Sequence, residues 1–125
     1  MKGLLDCKYV AEPGRIISSY AMHIAIRVVD VKKPGVAIVE GGNNMIGWEQ
    51  FEWEYHPVVN LTHPSSNEIP FLLYGSLCTP HDIWGYFCYG EKVEDGDILF
   101  IPNQGAYTYT LAQNFIKAIP QVIIL

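Results

Sequence analysis

Residues 22–29 read Met22-His23-Ile24-Ala25-Ile26-Arg27-Val28-Val29, and their pattern decides the fold class. Met22, Ile24, Ile26 and Val28 alternate with His23, Ala25, Arg27 and Val29, which is the period of a strand with one buried face. Upstream the period differs. Ile16, Ile17, Tyr20, Ala21 and Ile24 fall on one helical face behind Pro13-Gly14-Arg15, so a short helix is predicted there. Downstream, Lys33-Pro34-Gly35 signals a turn. Val36-Ala37-Ile38-Val39 then reads as a second strand, rich in β-branched residues, and Gly41-Gly42-Asn43-Asn44 breaks it. Residues 48–55 fit both periods. Phe51, Trp53 and Tyr55 alternate with Glu52 and Glu54, while Trp48, Phe51 and Tyr55 suit a helix. Pro64-Ser65-Ser66-Asn67 is a loop, and the aromatic-rich stretches 71–74 and 84–89 read as extended. Glu94-Asp95-Gly96-Asp97 is a tight turn with Gly96 free to take positive φ. Stretches 98–101, 106–111 and 122–125 complete the set of expected strands. The sum is a mostly β domain, a small barrel or sandwich with one or two short helices.

The composition fits one domain with a real core. Of the 125 residues, 50% are hydrophobic and only 17% charged, which excludes a disordered chain. A net charge of −5 argues against a nucleic-acid partner. No apolar run reaches the length of a membrane helix. The three cysteines, Cys7, Cys78 and Cys88, are odd in number and irregular in spacing, which fits free thiols in a reducing, cytoplasmic setting. His23, His56, His63 and His81 are scattered and show no metal-ligand spacing, so no metal site is expected.

Several short motifs stand in one order: Glu12-Pro13-Gly14-Arg15; Gly41-Gly42; Tyr55-His56-Pro57; Tyr74-Gly75-Ser76-Leu77-Cys78-Thr79-Pro80-His81-Asp82; Gly96-Asp97; and Gly105-Ala106-Tyr107-Thr108. In this order and spacing the chain resembles the C-terminal domain of the ornithine/diaminopimelate decarboxylases, enzymes that depend on pyridoxal 5′-phosphate. The resemblance covers nearly the whole chain. It implies a Greek-key-like β-barrel or sandwich over residues 1–125, with residues 1–20 matching the end of an N-terminal α/β barrel.

The resemblance also implies roles. Gly14 and Arg15 would bind the cofactor phosphate: glycine lets backbone N–H groups approach an anion, and the arginine fork suits phosphate. Without the resemblance, the same four residues are a turn before a helix. Glu12 would pair with the pyridine nitrogen and keep the ring an electron acceptor. Tyr107 would place its hydroxyl on the phosphate. Cys78 would act at the reacting carbon, across a dimer interface, as a proton donor. Asp82 would be a substrate contact or a structural acid. Cys7 and Cys88 lie outside any motif and read as inert thiols.

Departures bear on the substrate. Thr79 stands where family members carry an acid, and Trp48 and Glu52 stand where diaminopimelate enzymes carry an arginine and a tyrosine. Glu52 would meet a substrate ammonium or remain a solvated acid. None of the six lysines sits in the context of the family's Schiff-base lysine. That lysine belongs to a barrel of about 250 residues. The expectation is a domain that binds pyridoxal 5′-phosphate, and a small amino-acid substrate, only with that barrel present, and that forms a homodimer. The competing expectation is a non-catalytic dimerisation or regulatory module. The aromatic surface of Trp48, Trp53, Trp84, Tyr86, Phe87 and Tyr89 speaks for it.

Overall fold

A computed structural model of the chain describes residues 8–46 and 56–125. The alternation at 22–29 becomes β1 (Ile24–Lys33), with Ile26 and Val28 buried and Ala25, Arg27 and Val29 exposed. Gly35, at φ +80°, turns the chain into β2 (Val36–Val39). Then follow β3 (Val59–Asn60), β4 (Glu68–Tyr74), β5 (Ile83–Tyr89) and β6 (Ile98–Ile101). They form a closed barrel in the order β1-β2-β4-β5-β3-β6. The fold is therefore all-β, and the barrel is the form taken rather than the sandwich.

Closure comes from an antiparallel ladder of β6 on β1, which pairs Ile24 with Ile101, Ala25 with Phe100, Ile26 with Leu99 and Arg27 with Ile98. Inside lie Ile26, Val28, Ala37, Val39, Leu73, Trp84, Leu99 and Ile101, each alternating with outward residues on its strand.

Strand direction sorts the connections. β1–β2, β4–β5, β3–β6 and β6–β1 are antiparallel, whereas β2–β4 and β3–β5 are parallel. Following these directions round the barrel puts the start of β1, the ends of β2 and β4, the starts of β5 and β3, and the end of β6 at one rim. The segment before β1, the loop after β2, the β4–β5 loop and the segment after β6 all leave from that rim. Turns 34–35, 61–67 and 90–97 occupy the other.

The other rim is held by structural polar contacts. Asn60 donates from Nδ2 to Asp97 Oδ2 at 2.7 Å and to the Lys92 carbonyl at 2.8 Å. Its Oδ1 accepts from the Thr62 and His63 N–H groups at 2.9 and 3.2 Å. Gly96 takes φ +88°, as its turn requires.

Three expectations need correction or completion. The helix near residue 16 forms as α1 (Arg15–Ser18), continued by a 3₁₀ turn over Ser19–Ala21. Its apolar face is unpacked, with Ile16 80% and Tyr20 69% exposed. Residues 106–111 are not a strand: Tyr107 leads into a second short helix, α2 (Thr108–Leu111). Residues 122–125 are not a strand either and lie exposed. The reason is shared. The closed ring offers no free edge to accept a strand after β6. Residues 48–55, which fit both periods, lie outside the described residues.

Leu99 is fully buried at the closure seam, so Leu99→Ala should lower unfolding free energy by about 2–5 kcal/mol in urea titrations. Val122→Asp, in the exposed tail, should change it by less than about 0.5 kcal/mol; a large loss there would restore the missing strand.

Candidate functional site

The loop after β6 folds back onto α1. Gln104 N–H donates to the Met22 carbonyl at 2.8 Å, and Gly105 N–H to the Ser19 carbonyl at 3.0 Å. A Cβ on Gly105 would collide with the Ser18 carbonyl oxygen, so only glycine lets the two segments touch. This contact brings Tyr107 to Gly14. A Cβ on Gly14 would lie 2.5 Å from the tyrosine hydroxyl, and the Arg15 guanidinium carbon stands 5.6 Å from the centre of the Tyr107 ring. Residues at positions 14, 15 and 107 thus form one cluster. The helix is too short to add much of a dipole, so the polar groups here are the guanidinium, the phenol and local backbone. A guanidinium and a phenol are donors of the kind that suit a phosphate-sized anion.

Beside the cluster is a cavity of about 330 Å³ lined by Arg15, Ser19, Tyr20, His56, Asn103 and Gln104. Gln104 donates from Nε2 to the Pro102 carbonyl at 2.9 Å. A carbonyl only accepts, so this bond fixes the amide's orientation. The same nitrogen lies 3.3 Å from His56 Nδ1, which then accepts and leaves the proton on Nε2.

The β4–β5 loop presents the thiol. Asp82 is 1% exposed. Its Oδ2 accepts from Leu77 N–H at 2.7 Å, and its Oδ1 from Asn43 N–H at 2.8 Å. Its backbone closes the same loop: the Asp82 carbonyl accepts from Gly75 N–H at 2.7 Å, and Asp82 N–H donates to the Thr79 carbonyl at 3.1 Å. Burial pushes the Asp82 carboxyl above its ordinary range, and the two N–H donors pull it part of the way back. Leu77 is fully buried, while the next residue, Cys78, is exposed at φ +55°. Tyr107 is likewise left-handed, at φ +62°. Such backbone is disfavoured for side-chain-bearing residues and persists where surrounding contacts impose it.

Gly14, Arg15 and Tyr107 thus meet, while Cys78 and Asp82 share the β4–β5 loop that leaves from the same rim. Glu12 stands exposed two residues before Gly14. Glu52 lies outside the described residues, as do Cys7, Trp48 and Trp53. Asp82 has both oxygens committed to backbone N–H groups, which fits the structural side of its two expected roles. Cys88 is buried, and burial pushes its thiol up to about 11. Of the aromatic surface, Trp84 is core, whereas Tyr86 and Phe87 are 62% and 44% exposed. The sequence reading passed over Asn43 and Asn44, seen there only as strand breakers. Their signal is two adjacent amides in a loop between strands, a place where side-chain N–H groups serve backbone carbonyls.

Known proteins align with this domain. Residues 9–105 match the family model described as the pyridoxal-dependent decarboxylase, C-terminal sheet domain. The chain is 31% identical over 110 residues to a diaminopimelate decarboxylase of Methanocaldococcus jannaschii, covering 85% of the chain and 25% of that protein. The crystal structure of the M. jannaschii diaminopimelate decarboxylase with L-lysine superposes with a TM-score of 0.71 at 26% identity, covering 84% of this chain and 25% of that one. The Helicobacter pylori diaminopimelate decarboxylase with L-lysine gives 0.70 at 26% identity, covering 90% and 28%. The chain thus spans about a quarter of the length of these relatives.

Iodoacetamide at neutral pH should label Cys78 in the folded protein and Cys88 only after denaturation, as peptide mass mapping would read. Asp82→Asn replaces one acceptor with an amide N–H that faces a backbone donor, and it should lose about 1–3 kcal/mol of stability in urea titrations.

Proposed function

The chain belongs to the pyridoxal-dependent decarboxylases, as their C-terminal sheet domain, and we propose that its functional rim supplies one share of an amino-acid decarboxylase site. The observation that carries this reading is the meeting of Gly14, Arg15 and Tyr107. The guanidinium fork and the phenol hydroxyl hold the phosphate of pyridoxal 5′-phosphate, and glycine at position 14 keeps the backbone close to it. Glu12 stands on the same segment and pairs with the ring nitrogen. The cofactor, when bound, supplies the sink for the electron pair left by departing CO2.

Cys78 holds a proton on Sγ for the reacting carbon of a partner subunit's site. Its exposure and imposed backbone angle support that use, because the loop aims the thiol outward while Leu77 anchors it. Asp82 serves as the clamp that keeps this loop closed. Glu52 meets the ammonium of a small amino-acid substrate, of the diaminopimelate or ornithine type. With Thr79 in place of the family's acid and Trp48 in place of the diaminopimelate enzymes' arginine, the preferred side chain differs from that of diaminopimelate. The lysine that carries the cofactor comes from an α/β barrel outside these residues, against which the exposed face of Ile16, Ile17 and Tyr20 packs. Residues 1–20 continue the end of that barrel, and two copies form the working dimer.

A second reading, a non-catalytic dimerisation module, draws on exposed Tyr86 and Phe87. It gives Cys78 and Tyr107 no chemical task, and their forced backbone angles then lack a purpose.

The test is a chimera in which this domain replaces the sheet domain of the M. jannaschii relative. Arg15→Ala should weaken cofactor affinity about 10- to 100-fold, the worth of a charged hydrogen bond. Cys78→Ala should lower kcat and leave cofactor affinity unchanged. Cofactor affinity indifferent to Arg15 and Tyr107 would contradict the proposal.

A further inference from the structure

The Asn43–Asn44 pair sits at the functional rim in the 3₁₀ turn Asn43–Met45 and has no part in the reading above. Both residues are fully buried. Asn43 donates from Nδ2 to the His81 carbonyl at 3.0 Å and the Ile83 carbonyl at 3.4 Å, and from its backbone to Asp82 at 2.8 Å. It thereby holds the C-terminal end of the Cys78 loop. Asn44 donates from Nδ2 to the Gln113 carbonyl at 3.0 Å and the Lys117 carbonyl at 3.1 Å, and its own carbonyl accepts from Gln113 N–H at 2.9 Å. It thereby holds the segment that leaves α2, the helix that Tyr107 begins.

The two amide oxygens, Asn43 Oδ1 and Asn44 Oδ1, have no hydrogen-bond partner among the described residues. Two adjacent buried acceptors left unmet are disfavoured. The four donated side-chain bonds offset this. A hydroxyl offers one donor and a carboxylate none, so among uncharged side chains an amide is the group that serves two carbonyls at each position.

We propose that Asn43 and Asn44 are positioning residues that couple the Cys78 loop to the Tyr107 segment, so that neither half of the rim moves without the other. The link runs from Cys78 through Leu77 and Asp82 to Asn43, across one peptide unit to Asn44, and through Gln113 to α2. Its meaning for catalysis rests on the function proposed above. The physical coupling does not, and it is tested without the cofactor.

The test reads the alkylation rate of Cys78 by iodoacetamide in Gln113→Pro and Asn44→Ala proteins, with Cys88 protection reporting an intact fold. Proline at 113 removes the N–H bonded to Asn44, and Ala112, already extended at ψ 143°, accepts a following proline. Neither variant alters residues 75–82. Coupling predicts that the Cys78 rate changes at least about threefold, as local opening spreads through the shared turn. A change below about threefold in folded Gln113→Pro overturns the proposal. If Asn44→Ala exposes Cys88, the proline variant alone decides. Neither result bears on whether Arg15 and Tyr107 hold the cofactor, and a failure of the chimera would leave this coupling standing.

Discussion

Four residue pairs between β1 and β6, from Ile24–Ile101 to Arg27–Ile98, close the barrel. The rest of the arrangement depends on that seam. It seats Ile26, Leu99 and Ile101 in the core and removes the last free sheet edge. It also fixes which rim each loop leaves from. Once β6 lies antiparallel to β1, the segment before β1 and the segment after β6 emerge side by side. Gly14 and Tyr107, distant in sequence, then meet through the contact of Gly105 with α1. A barrel is rigid because each strand is hydrogen-bonded on both sides. Loops can therefore carry disfavoured backbone angles without unravelling the sheet.

Two of those angles fall where the chemistry is proposed. Among the described residues four non-glycine residues are left-handed: Cys78 and Tyr107, then Asn103 in the loop before Tyr107, and Ile116 in the stretch after α2. The surrounding bonds impose the angles: Asp82 ties down the loop around Cys78, and the Gln104 and Gly105 N–H groups tie down the loop before Tyr107. The two described cysteines show the result. The thiol on the clamped loop faces outward, while the thiol on β5 is buried and pushed up to about 11. One scaffold thus presents one sulfur and protects the other.

Much of this was legible in the sequence, for identifiable reasons. The alternation at 22–29 reports a one-sided strand because the period-two pattern follows directly from strand geometry. Gly105 stands in one of the motifs, and the structure puts it against the Ser18 carbonyl, where a side chain would not fit. Residues 106–111 mislead because Ala106, Tyr107 and Thr108 suit a strand locally, whereas closure of the ring decides otherwise. Residues 122–125 mislead similarly, as an apolar β-branched run with no edge to join. The periodicity of Ile16, Ile17 and Tyr20 gives an amphipathic helix. The helix is there, but its apolar face is largely exposed, since local periodicity does not say what covers a face. Asn43 and Asn44 were invisible because side-chain amides bonded to distant carbonyls leave no periodic trace.

The central claim is that this domain holds one share of a cofactor site and needs the lysine of another domain. An absorbance titration of the purified chain with pyridoxal 5′-phosphate, followed by borohydride trapping and peptide mapping, tests it most directly. The expected result is no saturable binding and no single trapped lysine among the six. A saturable site with one lysine trapped in full would contradict the claim and would give this barrel a complete cofactor site of its own.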